Sequence, residues 1–128
     1  MAIKILVVDD ERPIADSLVE IINAAGYDAV VAYSGVEALA RASEFCPNIL
    51  LTDVLMPGKN GFELGLEIKQ LCPDSRLLLF SGQASTAQLA SAYGPTFTSR
   101  GYRFELLPKP LHPASLLKKL EEALMRAA

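Results

Sequence analysis

Three nearly continuous apolar runs constrain the fold of this chain more than any other feature of its sequence. They read IKILVV near the amino terminus, NILLTD in the middle and RLLLF further along. Strands with one exposed face alternate apolar and polar residues, whereas strands covered on both faces do not. The runs therefore predict a parallel sheet between two covering layers. With two shorter runs added, we predict strands at residues 3–8, 28–32, 49–52, 77–80 and 104–107.

Segments with helical periodicity separate these predicted strands. Apolar residues recur at helical spacing over 14–22, and Ser34 and Glu37 have the spacing of a capping box. Repeated strand–helix units imply right-handed crossovers and a sheet with helices on both faces. We further predict a third helix that starts near residue 62 and ends before Pro73, a weaker helix over 84–93, a long loop over 94–103 and a last helix over 114–125.

Composition and charge exclude several classes of protein. The 128 residues fit one domain, and a hydrophobic content of 51% is ample for its core. The net charge of −3 comes without a basic run, so direct binding of nucleic acid is not expected. The first apolar run is too short for a signal peptide or a membrane span, which predicts a soluble, cytoplasmic protein. Cys46 and Cys72 lack metal-ligand spacing, and we expect two reduced structural thiols.

Polar side chains stand where four of the predicted strands end. The first strand ends in Asp9-Asp10, the third in Asp53, the fourth in Ser81, and the fifth runs into Lys109. The carboxyl ends of parallel strands share one edge of the sheet, where ligands bind. In the strand order 2-1-3-4-5 these four strands are neighbours, so their polar groups would line one cleft.

Each of these residues alone has an ordinary explanation. Asp10 could cap the first helix, Ser81 could be a turn residue, and Lys109 could be a surface charge. Three carboxylates at one edge, however, repel one another unless a divalent cation or a nearby lysine compensates them. The combination is therefore much more specific than any of its members alone.

Several spaced motifs extend this interpretation to a family. The stretches VVDDE, TDVLMPGKNG, LFSG and LPKP occur in this order along the chain. With them, essentially the whole chain resembles the receiver domain of two-component response regulators. The resemblance implies an α/β, flavodoxin-like (βα)5 three-layer sandwich with a parallel sheet of order 2-1-3-4-5.

The resemblance also implies a role for each residue of the cleft. Asp53 corresponds to the phosphoacceptor, and the bond between Lys109 and Pro110 is a candidate for the cis form. Mg²⁺ or Mn²⁺ would bind at this acidic cluster, with Asp10 as a direct ligand and Asp9 acting partly through water. The remaining implied roles are the backbone carbonyl of Leu55 as a metal ligand, the hydroxyl of Ser81 as the switch, and the ammonium of Lys109 as the charge that serves the phosphoryl group.

A receiver of this kind is a phosphorylation-dependent switch rather than an enzyme, apart from catalysing its own phosphorylation and dephosphorylation. The implied donor is a sensor histidine kinase or a histidine phosphotransfer protein. The implied output is a change in the face formed by the fourth helix, fifth strand and fifth helix, which would bind a downstream protein or a second copy in a homodimer. We expect residues 1–128 to form the receiver domain without an output domain, unless the sequence is a piece excised from a longer protein.

One departure from the family lies on the fifth strand. Receivers usually carry an aromatic residue three positions before the lysine, where this chain has Leu106. The segment between Ser81 and Lys109 is also longer than usual. One hypothesis is that the serine–aromatic coupling is absent or displaced, and that the loop over 94–103, with Tyr102 and the following Phe104, forms part of a partner surface. The alternative is that Phe104 belongs to the core and the loop is a surface insertion.

Two other functions remain open at the level of sequence. The chain could be a receiver-like interaction module that is never phosphorylated, although the complete set of acids, serine and lysine argues against this. It could also be a small metal-dependent phosphatase, but no further acid–base residue is expected in the cleft. His112 precedes the last helix in LHPAS and is expected to have a turn or cap role.

Overall fold

A computed structural model describes residues 2–82 and 85–126 as five strands that alternate with five helices. The strands pair in parallel in the order β2-β1-β3-β4-β5, which confirms the predicted topology. The elements are β1 (Lys4–Val8), α1 (Arg12–Ala24), β2 (Asp28–Ala32), α2 (Gly35–Glu44), β3 (Ile49–Asp53), α3 (Gly61–Leu71), β4 (Arg76–Ser81), α4 (Thr86–Ser99), β5 (Glu105–Pro108) and α5 (Pro113–Met125).

The sheet is covered on both faces, as the continuous apolar runs predict. Side chains alternate across a strand, so Leu6 and Val8 of β1 enter one apolar cluster while Ile5 and Val7 enter the other. The first cluster includes buried residues of α2, α3 and α4, and the second includes those of α1 and α5. The result is the predicted three-layer sandwich.

The start of α3 is fixed by a reciprocal capping box. The Asn60 side chain accepts a hydrogen bond from the Glu63 N–H at 2.9 Å, and Glu63 accepts from the Asn60 N–H at 3.0 Å. At the start of α2, Ser34 Oγ accepts from the Glu37 N–H at 3.1 Å, as the sequence pattern predicts. The box at Asn60 matters for the site because it anchors the turn that follows β3.

The predicted loop over 94–103 is wrong for its first six residues. Helix α4 continues through Pro95 to Ser99. Proline in a helix interior normally costs about 3 kcal/mol, which is the signal that favours a loop. The opposing contribution is Phe97, which is 1% exposed and packs against Phe62 and Phe104 with centroid distances of 6.2 and 4.8 Å. Burial of one aromatic side chain contributes about 2–3 kcal/mol, so tertiary packing offsets the local penalty.

The expectation of two reduced thiols is also wrong. Cys46 follows α2, Cys72 follows α3, and the two form a disulfide with a Cα–Cα distance of 5.5 Å. The packing of α2 against α3 brings the ends of these helices together across a sequence separation of 26 residues. Local sequence carries no sign of such a pairing.

No helix in the described ranges has both the length and the apolar character required to cross a membrane.

Candidate functional site

The carboxyl edge of the sheet opens into a cleft of about 370 Å³. Its walls come from the residues that directly follow β1 and β4, from the end of β3, and from the segment after β5. Parallel pairing aligns these ends, with Val8 beside Thr52 and Ser81 beside Pro108. The cleft is lined by Asp10, Glu11, Ile14, Asp53, Leu55, Gly82 and Lys109.

Three carboxylates converge on this cleft. Asp9, Asp10 and Asp53 each offer an oxygen that lies within 4.8 Å of the other two. Asp9 is fully buried, Asp53 is 5% exposed, and Asp10 lies at the surface. Asp9 Oδ1 accepts a hydrogen bond from the Glu11 N–H at 3.0 Å, but Asp9 Oδ2 has no hydrogen-bond partner among the described residues. One buried carboxylate oxygen is therefore left without a donor.

Lys109 supplies the positive charge of the cleft. Its Nζ lies 3.4 Å from Asp53 Oδ2 and 3.7 Å from Asp9 Oδ2, and it also stands over the Phe80 ring at 5.1 Å. Its backbone N–H donates to the Ser81 carbonyl at 3.2 Å, and the Lys109–Pro110 peptide bond is cis, as the resemblance implies. One ammonium thus faces two buried carboxylates.

The electrostatics of the two buried acids follow from this arrangement. Burial raises the pKa of Asp9 from 3.8 to about 6, against the lowering effect of the Glu11 N–H and of Lys109. The negative charge of Asp53 raises the pKa of Asp9 further. Burial likewise raises the pKa of Asp53, and the charge and hydrogen bond of Lys109 oppose this shift. The lysine compensates part of the cost of burying two neighbouring carboxylates, and not all of it.

A divalent cation fits the residues present. Carboxylate oxygens are the ligands that Mg²⁺ and Mn²⁺ prefer, and Asp9, Asp10 and Asp53 provide them at one point. The unpartnered Asp9 Oδ2 is the kind of buried acceptor that a cation would satisfy. Leu55, whose carbonyl is a further predicted ligand, lines the same cleft.

Ser81 ends β4 at the same edge and is half-buried. Its Oγ lies 2.5 Å from Thr86 Oγ1 at the start of α4, and Thr86 is itself buried. The sequence does not single out Thr86, because its position depends on where the fourth helix begins. A hydroxyl at the first residue of that helix is the only local signal.

Other predicted residues lie away from the cleft. Phe104 packs against the rings of Phe62 and Phe97, in agreement with the core interpretation, while Leu106 is 39% exposed on β5. A switching role for Phe104 and Leu106 stays a prediction. His112 occupies the N-cap position of α5 without a side-chain cap hydrogen bond.

The expectation of no further acid–base residue in the cleft is wrong. Glu11 lines the cleft and its Oε1 lies 4.0 Å from Lys109 Nζ. Its side chain is 61% exposed, so water screens its charge more than that of Asp9 or Asp53. The sequence signal for Glu11 is its place directly after the Asp9-Asp10 pair.

Comparisons with known proteins agree with this geometry. The family model for the response regulator receiver domain matches residues 5–121. A CheY-like receiver domain protein from Methanospirillum hungatei JF-1 is 29% identical, with a TM-score of 0.83 over 97% of this chain and 94% of that one. Chemotaxis protein CheY4 of Vibrio cholerae is 28% identical, with a TM-score of 0.82 over 97% of this chain and 100% of its own.

A putative response regulator from Chloroflexus aurantiacus J-10-fl is also similar, at 29% identity with a TM-score of 0.81 over 98% of this chain and 100% of that chain. The family match covers nearly all of the parallel sheet and includes Asp9, Asp10, Asp53, Ser81 and Lys109. This chain therefore belongs to the response regulator receiver domains of two-component signalling.

Proposed function

We propose that this receiver accepts a phosphoryl group on Asp53 from a phosphohistidine of a sensor histidine kinase or a histidine phosphotransfer protein, and that the modification changes its binding to a downstream protein. The observation that carries the proposal is the position of Asp53. It ends a buried strand, it lines the cleft, and its Oδ2 lies 3.4 Å from an ammonium and close to two further carboxylates.

The proposed reaction is the transfer of a phosphoryl group between two nucleophiles. A carboxylate oxygen of Asp53 attacks the phosphorus atom, and the bond from phosphorus to the donor's imidazole nitrogen breaks. The electron pair of that bond returns to the imidazole, and the product is an acyl phosphate on Asp53. In a separate step, water attacks the phosphorus atom of the acyl phosphate, the bond from phosphorus to the Asp53 oxygen breaks, and the carboxylate and inorganic phosphate are released. Such transfers need positioning and charge stabilisation more than covalent help from the protein.

The chain's own residues would supply part of that stabilisation. Asp53 and the incoming phosphoryl group are both negative, and Lys109 is placed to offset this repulsion. Asp9, Asp10 and Asp53 would hold the cation. When bound there, Mg²⁺ or Mn²⁺ would supply positive charge to the phosphoryl oxygens. Ser81 would donate a hydrogen bond to one of those oxygens, since it ends β4, the strand that pairs with β3 beside Asp53.

We assign the output to the face of α4, β5 and α5. Leu106 on β5 is 39% exposed, so its side chain is accessible to a protein that binds this face. A phosphoryl group adds nearly two negative charges and three acceptor oxygens. These would change the contacts of Ser81 and Lys109, which precede α4 and α5 in the chain.

The experiment that tests the proposal is labelling by a small phosphodonor. Incubation with acetyl phosphate and Mg²⁺, followed by intact-mass measurement, should show one added phosphoryl group on the wild type and none on Asp53→Asn. Asp16→Asn is the matched control, because Asp16 is an exposed aspartate outside the cleft whose only described partner is Tyr33. Undiminished labelling of Asp53→Asn would refute the assignment.

The metal has a separate readout. Mg²⁺ alone should raise the melting temperature of the wild type and should leave that of Asp10→Asn unchanged, because one of the three converging carboxylates is then lost. An equal rise in both proteins would exclude Asp10 as a ligand.

A further inference from the structure

We propose that Thr86 is a positioning residue that couples a phosphoryl group on Asp53 to helix α4 through the hydroxyl of Ser81. This inference rests on the proposed function. It assigns the coupling to a hydroxyl pair at the start of α4, in a chain that has Leu106 at the position of the family's aromatic residue on β5.

The hydroxyl pair is the first observation. Ser81 Oγ and Thr86 Oγ1 lie 2.5 Å apart, within hydrogen-bond distance, and Thr86 is only 8% exposed. A hydroxyl can donate one hydrogen bond and accept others. Ser81 can therefore donate to a phosphoryl oxygen while it accepts from Thr86, so the two hydroxyls form a chain that ends at Asp53. A phosphoryl group that orients the Ser81 hydroxyl would then fix the direction of the bond to Thr86.

Thr86 is the first residue of α4, and the helix has a second link to the site. Tyr93 Oη accepts a hydrogen bond from the Asn60 side chain at 3.5 Å, and its ring stacks on Phe62 with centroids 5.8 Å apart. Asn60 caps α3 directly after the turn that follows Asp53. Helix α4 is thus tied to the two segments that leave the site from β3 and β4. A change at Ser81 would be transmitted to the helix at its first residue.

Leu106 cannot provide this coupling by itself. Its side chain has no polar atom, lies on β5 and is 39% exposed. Thr86, by contrast, is polar, buried and already bonded to the switch hydroxyl. The pair of Ser81 and Thr86 is a direct side-chain link between the end of β4 and the first residue of α4.

The test compares three variants. Thr86→Val removes the hydroxyl and keeps the shape of the side chain, whereas Thr86→Ser keeps the hydroxyl. Thr98→Val makes the same change as Thr86→Val at an exposed residue near the other end of α4. If Thr86→Val does not fold, Thr86→Ala removes the same hydroxyl without a methyl in its place. Intact mass after acetyl phosphate treatment first establishes that each protein takes up one phosphoryl group.

Amide NMR spectra with and without beryllofluoride and Mg²⁺ then report the response of α4. We expect shifts over residues 86–99 in the wild type, Thr86→Ser and Thr98→Val, and loss of these shifts in Thr86→Val. Shifts around Asp53 should persist in all four proteins. If Thr86 had only a structural role, the shifts over residues 86–99 would not be lost while those around Asp53 persist.

Each other outcome has a definite meaning. If the wild type takes up no phosphoryl group, the proposed function fails before Thr86 is tested. If Thr86→Val is phosphorylated and α4 shifts as in the wild type, the role of Thr86 is refuted and the proposed function stands. If Thr86→Ser also loses the response, the hydroxyl is not the coupling group, and the inference is equally overturned.

Discussion

The two edges of the sheet differ in how their buried polar groups are hydrogen-bonded. At the amino edge, Asn48 Oδ1 accepts from the Lys4 N–H at 2.8 Å, and the Ser75 hydroxyl donates to the Pro47 carbonyl. Buried Lys69 donates to the carbonyls of Pro73 and Ser75 at 2.7 and 2.9 Å.

At the carboxyl edge, Asp9 Oδ2 is buried without a hydrogen-bond partner in the described part of the chain. The pKa values of Asp9 and Asp53 are both raised, chiefly by burial. An unsatisfied buried acceptor costs about 1–3 kcal/mol, so this arrangement is unfavourable for folding alone.

The difference shows what each edge is for. Hydrogen bonds at the amino edge hold the loops before β3 and β4 in place and stabilise the fold. The carboxyl edge keeps negative charge that Lys109 compensates only in part, which suits a divalent cation. An arrangement that is locally unfavourable in this way is expected at functional sites, because the stability of the rest of the structure offsets its cost.

The largest expected effect on stability is at Lys69 of the amino edge, and it contrasts with that at Lys109 of the carboxyl edge. Lys69→Met should lower the free energy of unfolding by about 1–3 kcal/mol, because the buried Ser75 carbonyl and the Pro73 carbonyl lose their donor. Lys109→Met should change it by less than about 1 kcal/mol, since Asp9 and Asp53 can take up a proton when the ammonium is removed. Urea unfolding at neutral pH measures both. Labelling by acetyl phosphate should be lost in Lys109→Met and kept in folded Lys69→Met, and the reverse pattern would contradict the division between the edges.

A second prediction concerns Asp9 alone. Asp9→Asn keeps an oxygen that can accept the Glu11 N–H and removes one buried negative charge. Without metal, we expect the variant to be more stable than the wild type by about 1–2 kcal/mol. Added Mg²⁺ should stabilise the wild type and have little effect on the variant. Thermal unfolding with and without Mg²⁺ is the measurement, and a variant less stable than the metal-free wild type would show that the charge is already compensated.

The stability of the metal-free protein should depend on pH because Asp9 is buried. The pKa of Asp9 is about 6 in the folded protein against 3.8 as its ordinary value, so the folded state binds more protons between these values. Stability without metal should therefore rise as the pH is lowered from 7 to 5, by on the order of 1 kcal/mol. The raised pKa of Asp53 acts in the same direction. Unfolding curves at these two pH values test this, and the trend should shrink in Asp9→Asn; an unchanged trend would assign it to another group.

The smallest effect is expected at an exposed ion pair of the amino edge. Lys4 Nζ and Asp28 Oδ2 are 2.7 Å apart, and both side chains are 42% exposed. Asp28→Asn should change stability by no more than about 0.5 kcal/mol, because water screens such pairs. A loss above 1 kcal/mol in urea unfolding would mean that charge at the amino edge matters more than its hydrogen bonds.

Much of the fold and most of the cleft follow from local sequence. The strands lie within one residue of their predicted bounds, since apolar runs report burial on both faces directly. The parallel topology then aligns the strand ends, so Asp9, Asp53 and Lys109 could be assigned to one cleft without coordinates. The helical structure of residues 94–99 could not be predicted in this way. Pro95 disfavours a helix locally, whereas burial of Phe97 favours one, and the outcome depends on the packing of the aromatic rings.

What the sequence by itself determined is the order of the strands and helices and the chemistry at the strand ends. Tertiary structure alone decided which distant side chains meet. The pairing of Cys46 with Cys72 and the contact of Ser81 with Thr86 depend on how helices pack and where they begin. Periodicity along a chain records which face of an element is buried, whereas a contact between two elements depends on their relative placement, which no local pattern encodes.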